Sequence, residues 1–142
     1  MGEGGTAPAV PAQQRGRAHK SRRGRARQQL RKGVLAVFDA YADHAALGYE
    51  RGFRGCGLLN AAAELPAGDP GRGVVRAHKE QVERLLAGHL DLLLPGRPDE
   101  ARALAEHLAF LLEGAMVRAG LEGDATRLLH ARKSAAGLLD AL

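Results

Sequence analysis

The sequence predicts an all-α protein. Three observations carry that prediction. Ala, Leu, Gly and Arg dominate the 142 residues, aromatics make up only 4%, and Trp is absent, a composition that favours helix over strand. After residue 29 the apolar residues recur at i, i+3, i+4 spacing, the period of a helix face. No segment alternates with period two for long enough to form a strand. The length suits one domain, and no internal repeat divides it.

The elements follow in order. Residues 1–13 are mostly Gly, Ala, Pro and Gln, and residues 14–29 read QRGRAHKSRRGRARQQ, without one large apolar side chain. Nothing there offsets the entropy of ordering, so 1–27 is expected to be a disordered arm and 28–142 a helical domain. Leu30, Val34, Val37, Phe38, Tyr41 and Ala45 then form a stripe that predicts a helix from about Gln29 to Leu47. A bend at Gly48 and Gly52 leads to GCGLLNAAAEL (55–65), apolar on nearly all sides and expected to be a short buried helix. The loop PAGDPG (66–71) precedes a helix over 72–93, striped by Val75, His78, Val82, Leu85, Leu86, His89 and Leu93. Its Lys79 and Glu83 read as an i, i+4 pair on the wet face.

PGRP (95–98) breaks that helix, and Asp99 and Glu100 suit the first turn of the next, 98–119. Within it LAFLLEGAMV (108–117) carries Glu113 as its only charge, which predicts the central helix of a bundle. Gly120 and Gly123 end it, and Asp124 is placed to cap a last helix, 125–141.

The net charge of +5 is unevenly spread. Residues 15–32 hold nine basic side chains and no acid, whereas the body from residue 34 holds twelve basic against fifteen acidic. The basic set is Arg15, Arg17, Lys20, Arg22, Arg23, Arg25, Arg27, Arg31 and Lys32. It attracts polyanions without sequence preference, although no aromatic is interleaved for base stacking. The alternative is a solubilising tail.

Composition also excludes function classes. No apolar run is long enough to cross a membrane, and the start lacks a charged segment followed by an apolar one, so neither an anchor nor a secretory signal is expected. One cysteine, Cys56, rules out an intramolecular disulfide and fits a reducing, cytoplasmic setting. Two Ser and two Thr leave little for a hydroxyl nucleophile. The six histidines form no metal motif; His78 and His89 lie about three turns apart. Neither metal nor cofactor is expected. GFRGCG (52–57) lacks the Lys-Ser/Thr of a phosphate loop and reads as a bend where glycine permits positive φ. Cys56 is either a reactive thiol near Arg51 and Arg54 or a small buried hydrophobe, and the second fits better. Asn60 and Glu113, each inside an apolar helix, must be paired internally or face a ligand cavity.

RGFRGCGLLNAAAELP (51–66), VVRAHKEQVERLL (74–86) and PDEARALAEHLAFLLEGAMVRAGLEGD (98–124) together resemble the C-terminal domain of tetracycline-repressor-like (TetR-like) regulators, in particular those with a Gly-Cys-x-x-x-Asn-x-x-x-Glu segment. The resemblance covers residues 30–142. It implies a five-helix effector-binding and dimerising domain, not an enzyme, whose last two helices pair with a second copy. It also implies an N-terminal helix-turn-helix. The basic arm stands in that place, without the apolar periodicity or the turn glycine such a head needs, so the expectation is a truncated or headless regulator that binds DNA weakly at most.

On this reading the effector, small and hydrophobic or amphipathic, would lie among Phe38, Tyr41, Cys56, Leu59, Asn60, Val75, His78, Val82, Phe110, Glu113, Met116 and Val117. The polar anchors would be Tyr41, Asn60, His78 and Glu113. The dimer contact would use Leu104, Leu108, Leu128, Ala135 and Leu139. The last helix has more apolar surface than a peripheral helix needs.

Overall fold

A computed structural model describes residues 12–142, with side-chain surroundings from residue 13. Five helices account for nearly all of it: α1 Ala12–Ala45, α2 Gly57–Ala63, α3 Pro70–Leu93, α4 Pro98–Glu122 and α5 Thr126–Asp140. The chain is all-α, as the composition predicts, and no strand occurs among the described residues.

The boundary at residue 27 is not a structural one. Residues 1–11 of the expected arm lie outside the described residues, but α1 runs unbroken from Ala12 through the basic stretch into the body. Helix propagation, not apolar burial, orders this stretch. Once Val34, Val37 and Phe38 fix a helix, each residue added upstream gains a backbone hydrogen bond without a new nucleus. Ala, Arg, Gln and Lys are good helix formers, and Gly16 and Gly24 each cost only about 1 kcal/mol.

Four long helices close a ring: α1 packs on α3, α3 on α4, α4 on α5 and α5 back on α1. The interior holds Val34, Phe38, Leu86, Leu90, Leu108, Leu112, Leu128 and Leu139, all buried. The helix expected to be central, α4, is therefore one of four walls. Ala101, Ala105, Leu108, Leu112, Met116 and Ala119 face inward, while Phe110, Val117 and Leu121 are 65%, 48% and 79% exposed.

Local signals explain most helix ends. Pro70 opens α3 and Asp69 accepts the Gly71 amide at 2.8 Å. Gly123, at φ 81°, closes α4 with its amide on Ala119. Asp124 accepts the Thr126 amide at 2.9 Å, the cap the sequence predicts for α5. Arg72 reaches back to the Ala62 and Leu65 carbonyls at 3.2 and 3.0 Å and so caps the C-terminal end of α2.

Two glycines lie at close contacts. A Cβ on Gly33 would fall 2.4 Å from the His89 ring, so that side chain would have to move aside. A Cβ on Gly120 would fall 2.6 Å from the Gly55 backbone nitrogen. Gly120 therefore lies inside α4, where the 52–56 segment presses against it, and is not the helix stop.

Candidate ligand cavity

The short helix α2 is the loosest part of the fold. It packs directly only on α3. Ala62 is its single buried residue; Leu58 and Leu59 are 46% and 40% exposed, so the buried helix expected here is a half-covered one. Between its N-terminal end and helices α1, α3 and α4 lies a cavity of about 570 Å³. Ala40, Tyr41 and His44 line it from α1, Cys56, Gly57 and Leu58 from the α2 end, His78 and Val82 from α3, and Met116 from α4. The walls are mostly apolar, with the Tyr41 hydroxyl, the two imidazoles and the Cys56 thiol as polar points.

The segment before α2 explains how the cavity stays open. Gly52 and Gly55 take φ of 75° and 86°, conformations that β-carbon-bearing residues avoid. Phe53 is buried in the core and holds the segment down. His44, Tyr49 and Phe53 form an aromatic triplet, with His44 edge-on to both partners at 5.7 and 5.9 Å. The Tyr49 hydroxyl lies 3.0 Å from His44 Nδ1 and orients that ring. A second depression of about 450 Å³ lies over the same turn. The turn segment 49–55 supplies most of its lining, whereas helix side chains form most of the walls of the larger cavity.

A smaller space of about 140 Å³ lies on the far side of Cys56 and Met116, bounded by Leu59, Asn60, Glu113, Val117 and the Gly55–Gly120 contact. Beside it the Lys79 ammonium pairs with Glu113 Oε1 at 3.0 Å and approaches Cys56 Sγ at 3.4 Å. The two charged side chains are 19% and 29% exposed. Burial would depress the Lys79 ammonium, but the hydrogen bond and charge of Glu113 outweigh it, and the group is raised above its ordinary value. Burial likewise raises the Tyr41 hydroxyl, against the nearby Lys79 charge.

The predicted pocket set divides accordingly. Tyr41, Cys56, His78, Val82 and Met116 meet in the larger cavity; Leu59, Asn60, Glu113 and Val117 meet in the smaller one, with Cys56 and Met116 again. Phe38 and Val75 are buried and line neither cavity. Phe110 points outward, into a shallow groove between α4 and α5. Two of the four polar anchors are already engaged. The Asn60 amide donates to the Arg54 carbonyl at 3.0 Å and ties α2 to the preceding turn, and Glu113 is held by Lys79.

Lys79 is the residue the sequence reading missed. Read as half of a wet-face pair with Glu83, it turns inward instead. The signal was present: Val75, Lys79, Val82, Leu86, Leu90 and Leu93 share one helical register, and a carboxylate on an apolar helix requires a cation nearby. His44 falls three residues after Tyr41, in register with the α1 stripe, but as a polar residue it did not count toward an apolar face.

The dimer set is corrected as well. Leu108, Leu128, Ala135 and Leu139 are buried within a single chain, and Leu104 is half-buried against the same core. The four buried residues close the bundle and offer no surface to a second copy, while Leu104 keeps part of its side chain exposed. Their spacing marked a core face, which sequence periodicity cannot distinguish from an interface.

No family model matches the chain, and comparison with curated proteins and with solved structures gives no significant match.

Proposed function

We propose that this chain is a small-molecule-binding, dimerising regulatory domain of the TetR-like kind, acting in the cytoplasm. The observation that carries the reading is the 570 Å³ cavity between α1, the α2 end, α3 and α4. Its size lies within the range of ligand sites, and so does its make-up of apolar walls with a few convergent polar groups. The ligand is a compact apolar molecule with one hydrogen-bonding group, directed at Tyr41, His44 or His78. Binding rather than turnover fits the chemistry beside the cavity. The Lys79 amine is held protonated by Glu113 and is a poor nucleophile in that state.

Thermal unfolding in the presence of an apolar compound panel tests this. At a hundredfold excess over Kd, a ligand that binds only the folded state adds about 2.7 kcal/mol. Val82→Trp fills the cavity and should abolish the gain while the empty protein stays folded. If no compound raises the melting temperature of the wild type, the ligand-binding reading fails.

The second copy belongs against α4. Its exposed residues Ala103, His107, Phe110, Gly114, Val117 and Leu121 recur at alternating steps of four and three, the spacing of a helix seam. Sedimentation at tens of micromolar should give a dimer, and a monomer at that concentration removes this part of the proposal.

A further inference from the structure

The ligand cavity uses only the C-terminal half of α1. The basic N-terminal half remains without a role. Every residue from Gln13 to Gln29 is exposed, over about 26 Å of helix. Arg17, Lys20, Arg22, Arg23 and Arg25 have no carboxylate partner among the described residues. At about 3.6 residues per turn they surround the axis, with no gap wider than about 100° between neighbours.

The root of this segment is fixed to the body. Arg27 donates to the Leu93 carbonyl at the end of α3, at 3.3 Å, and to the Leu142 carbonyl just beyond α5, at 2.9 Å. Arg31 pairs with Asp140. Two arginines thus sit at the negative ends of two helices, where cations are favoured. The basic helix leaves the bundle in a set direction.

We propose that residues 13–29 of α1 bind duplex DNA as a helix lying in the major groove. Two features select this partner over other polyanions. Cations on all sides suit a site with phosphates on both walls, and the B-form major groove, about 12 Å wide, admits an α-helix. A flat anionic membrane would engage one face only, and a membrane-surface helix carries an apolar face that this segment lacks. The A-form major groove of duplex RNA is too deep and narrow for it. The contacts are to phosphates, so the binding is independent of sequence.

Fluorescence anisotropy of the full chain with a labelled 20-base-pair DNA duplex tests the proposal. With about five phosphate contacts, affinity should fall about 500-fold between 50 and 200 mM salt. Ser21→Pro separates a groove-bound helix from a flexible charged arm. It keeps every charge but removes a backbone hydrogen bond and clashes with the preceding turn. Residue 21 is exposed and outside the core, so the melting temperature of the body should not move, while DNA affinity at 50 mM salt should drop at least about tenfold. Equal binding by the wild type and by Ser21→Pro overturns the proposal. So does equal or tighter binding to single-stranded DNA, to duplex RNA, or to phosphatidylserine vesicles at the same salt. Arg22→Glu with Arg23→Glu should abolish duplex binding without changing thermal stability.

Discussion

Helices α5 and α2 both cover a side of the protein, and they do it in opposite ways. α5 places Leu128, Ala131, Ala135 and Leu139 against α1 and α4 and leaves only a shallow outer groove beside Phe110. The bidentate Arg132–Asp39 pair, with one contact of 3.2 Å, ties its outer edge to α1. α2 contributes one buried alanine, touches only α3, and stands off from α1 and α4 around a cavity. The difference lies in what each sequence can bury. α5 offers apolar residues at i, i+3, i+7 and i+11 over 15 residues. α2 has seven residues and is held from outside, by Arg72 at one end and by the Gly55–Gly120 contact before the other. A well-packed side contributes stability; a propped side contributes a site.

The contrast is broken most severely on the α5 side. Leu128→Ala removes a fully buried side chain and should cost about 2–5 kcal/mol in urea unfolding. Leu58→Ala on α2, truncating a side chain that is 46% exposed, should cost under about 1 kcal/mol. Similar costs at the two sites would mean that α2 is packed as tightly as α5.

Gly120→Ala acts at the prop. The new methyl meets Gly55 backbone, which has no rotamer to escape into. The expected loss is about 1–3 kcal/mol, together with loss of any ligand-induced stabilisation, because the displaced segment carries Cys56 and Gly57 of the cavity wall. A variant that unfolds and binds as the wild type does would show that the close approach is not maintained in solution.

How much of this was legible in the sequence follows from the same contrast. Helix order, the α4 start and the Asp124 cap could be read because each rests on neighbours in the chain, whereas α3 begins at Pro70, two residues inside the expected loop. The propping of α2 could not, because Gly120 and Gly55 are 65 positions apart and a glycine within a helix looks like a weakness or an end. The pocket residues were half legible. Tyr41, His78 and Val82 follow from periodicity, but Phe110 shares the composition of the α4 core run and faces the other way. Periodicity identifies faces without saying which face is inside. In α4, apolar on nearly all sides, it could not choose.

The ion pair beside the cavity gives a pH-dependent test. Tyr41 and Lys79 both hold their protons more tightly when folded than their ordinary values of 10.0 and 10.5 imply. For a group raised on folding, the contribution to stability is complete below the unfolded value and is lost as pH rises through the folded one. Urea midpoints should therefore be level from pH 8 to about 10 and fall above that. Tyr41→Phe and Lys79→Met should each flatten the fall. Lys79→Met should also lower stability near neutrality, by about 1–2 kcal/mol, because it leaves Glu113 half-buried without its cation. A decline as steep in both variants as in the wild type would assign the alkaline loss to other groups.

The smallest effect on the fold is expected on the outer face of α4, where exposure alone separates an interface from a core. Phe110 and Leu108 are two positions apart on one helix, 65% and 0% exposed. Leu108→Glu would bury an unpaired charge and should unfold the protein. Phe110→Glu changes a side chain that the single chain leaves in water, so the isolated fold should lose less than about 0.5 kcal/mol. If a second copy covers the Ala103-to-Leu121 stripe, the same substitution places two like charges across a seam and should convert the dimer to monomer. The two readouts separate cleanly. Circular dichroism should be unchanged, while sedimentation shifts and the melting temperature loses its dependence on concentration, since only an associating protein has one. A melting temperature already independent of concentration in the wild type would leave the stripe as ordinary exposed surface, and the contrast between the sealed and the propped sides would then describe a monomer.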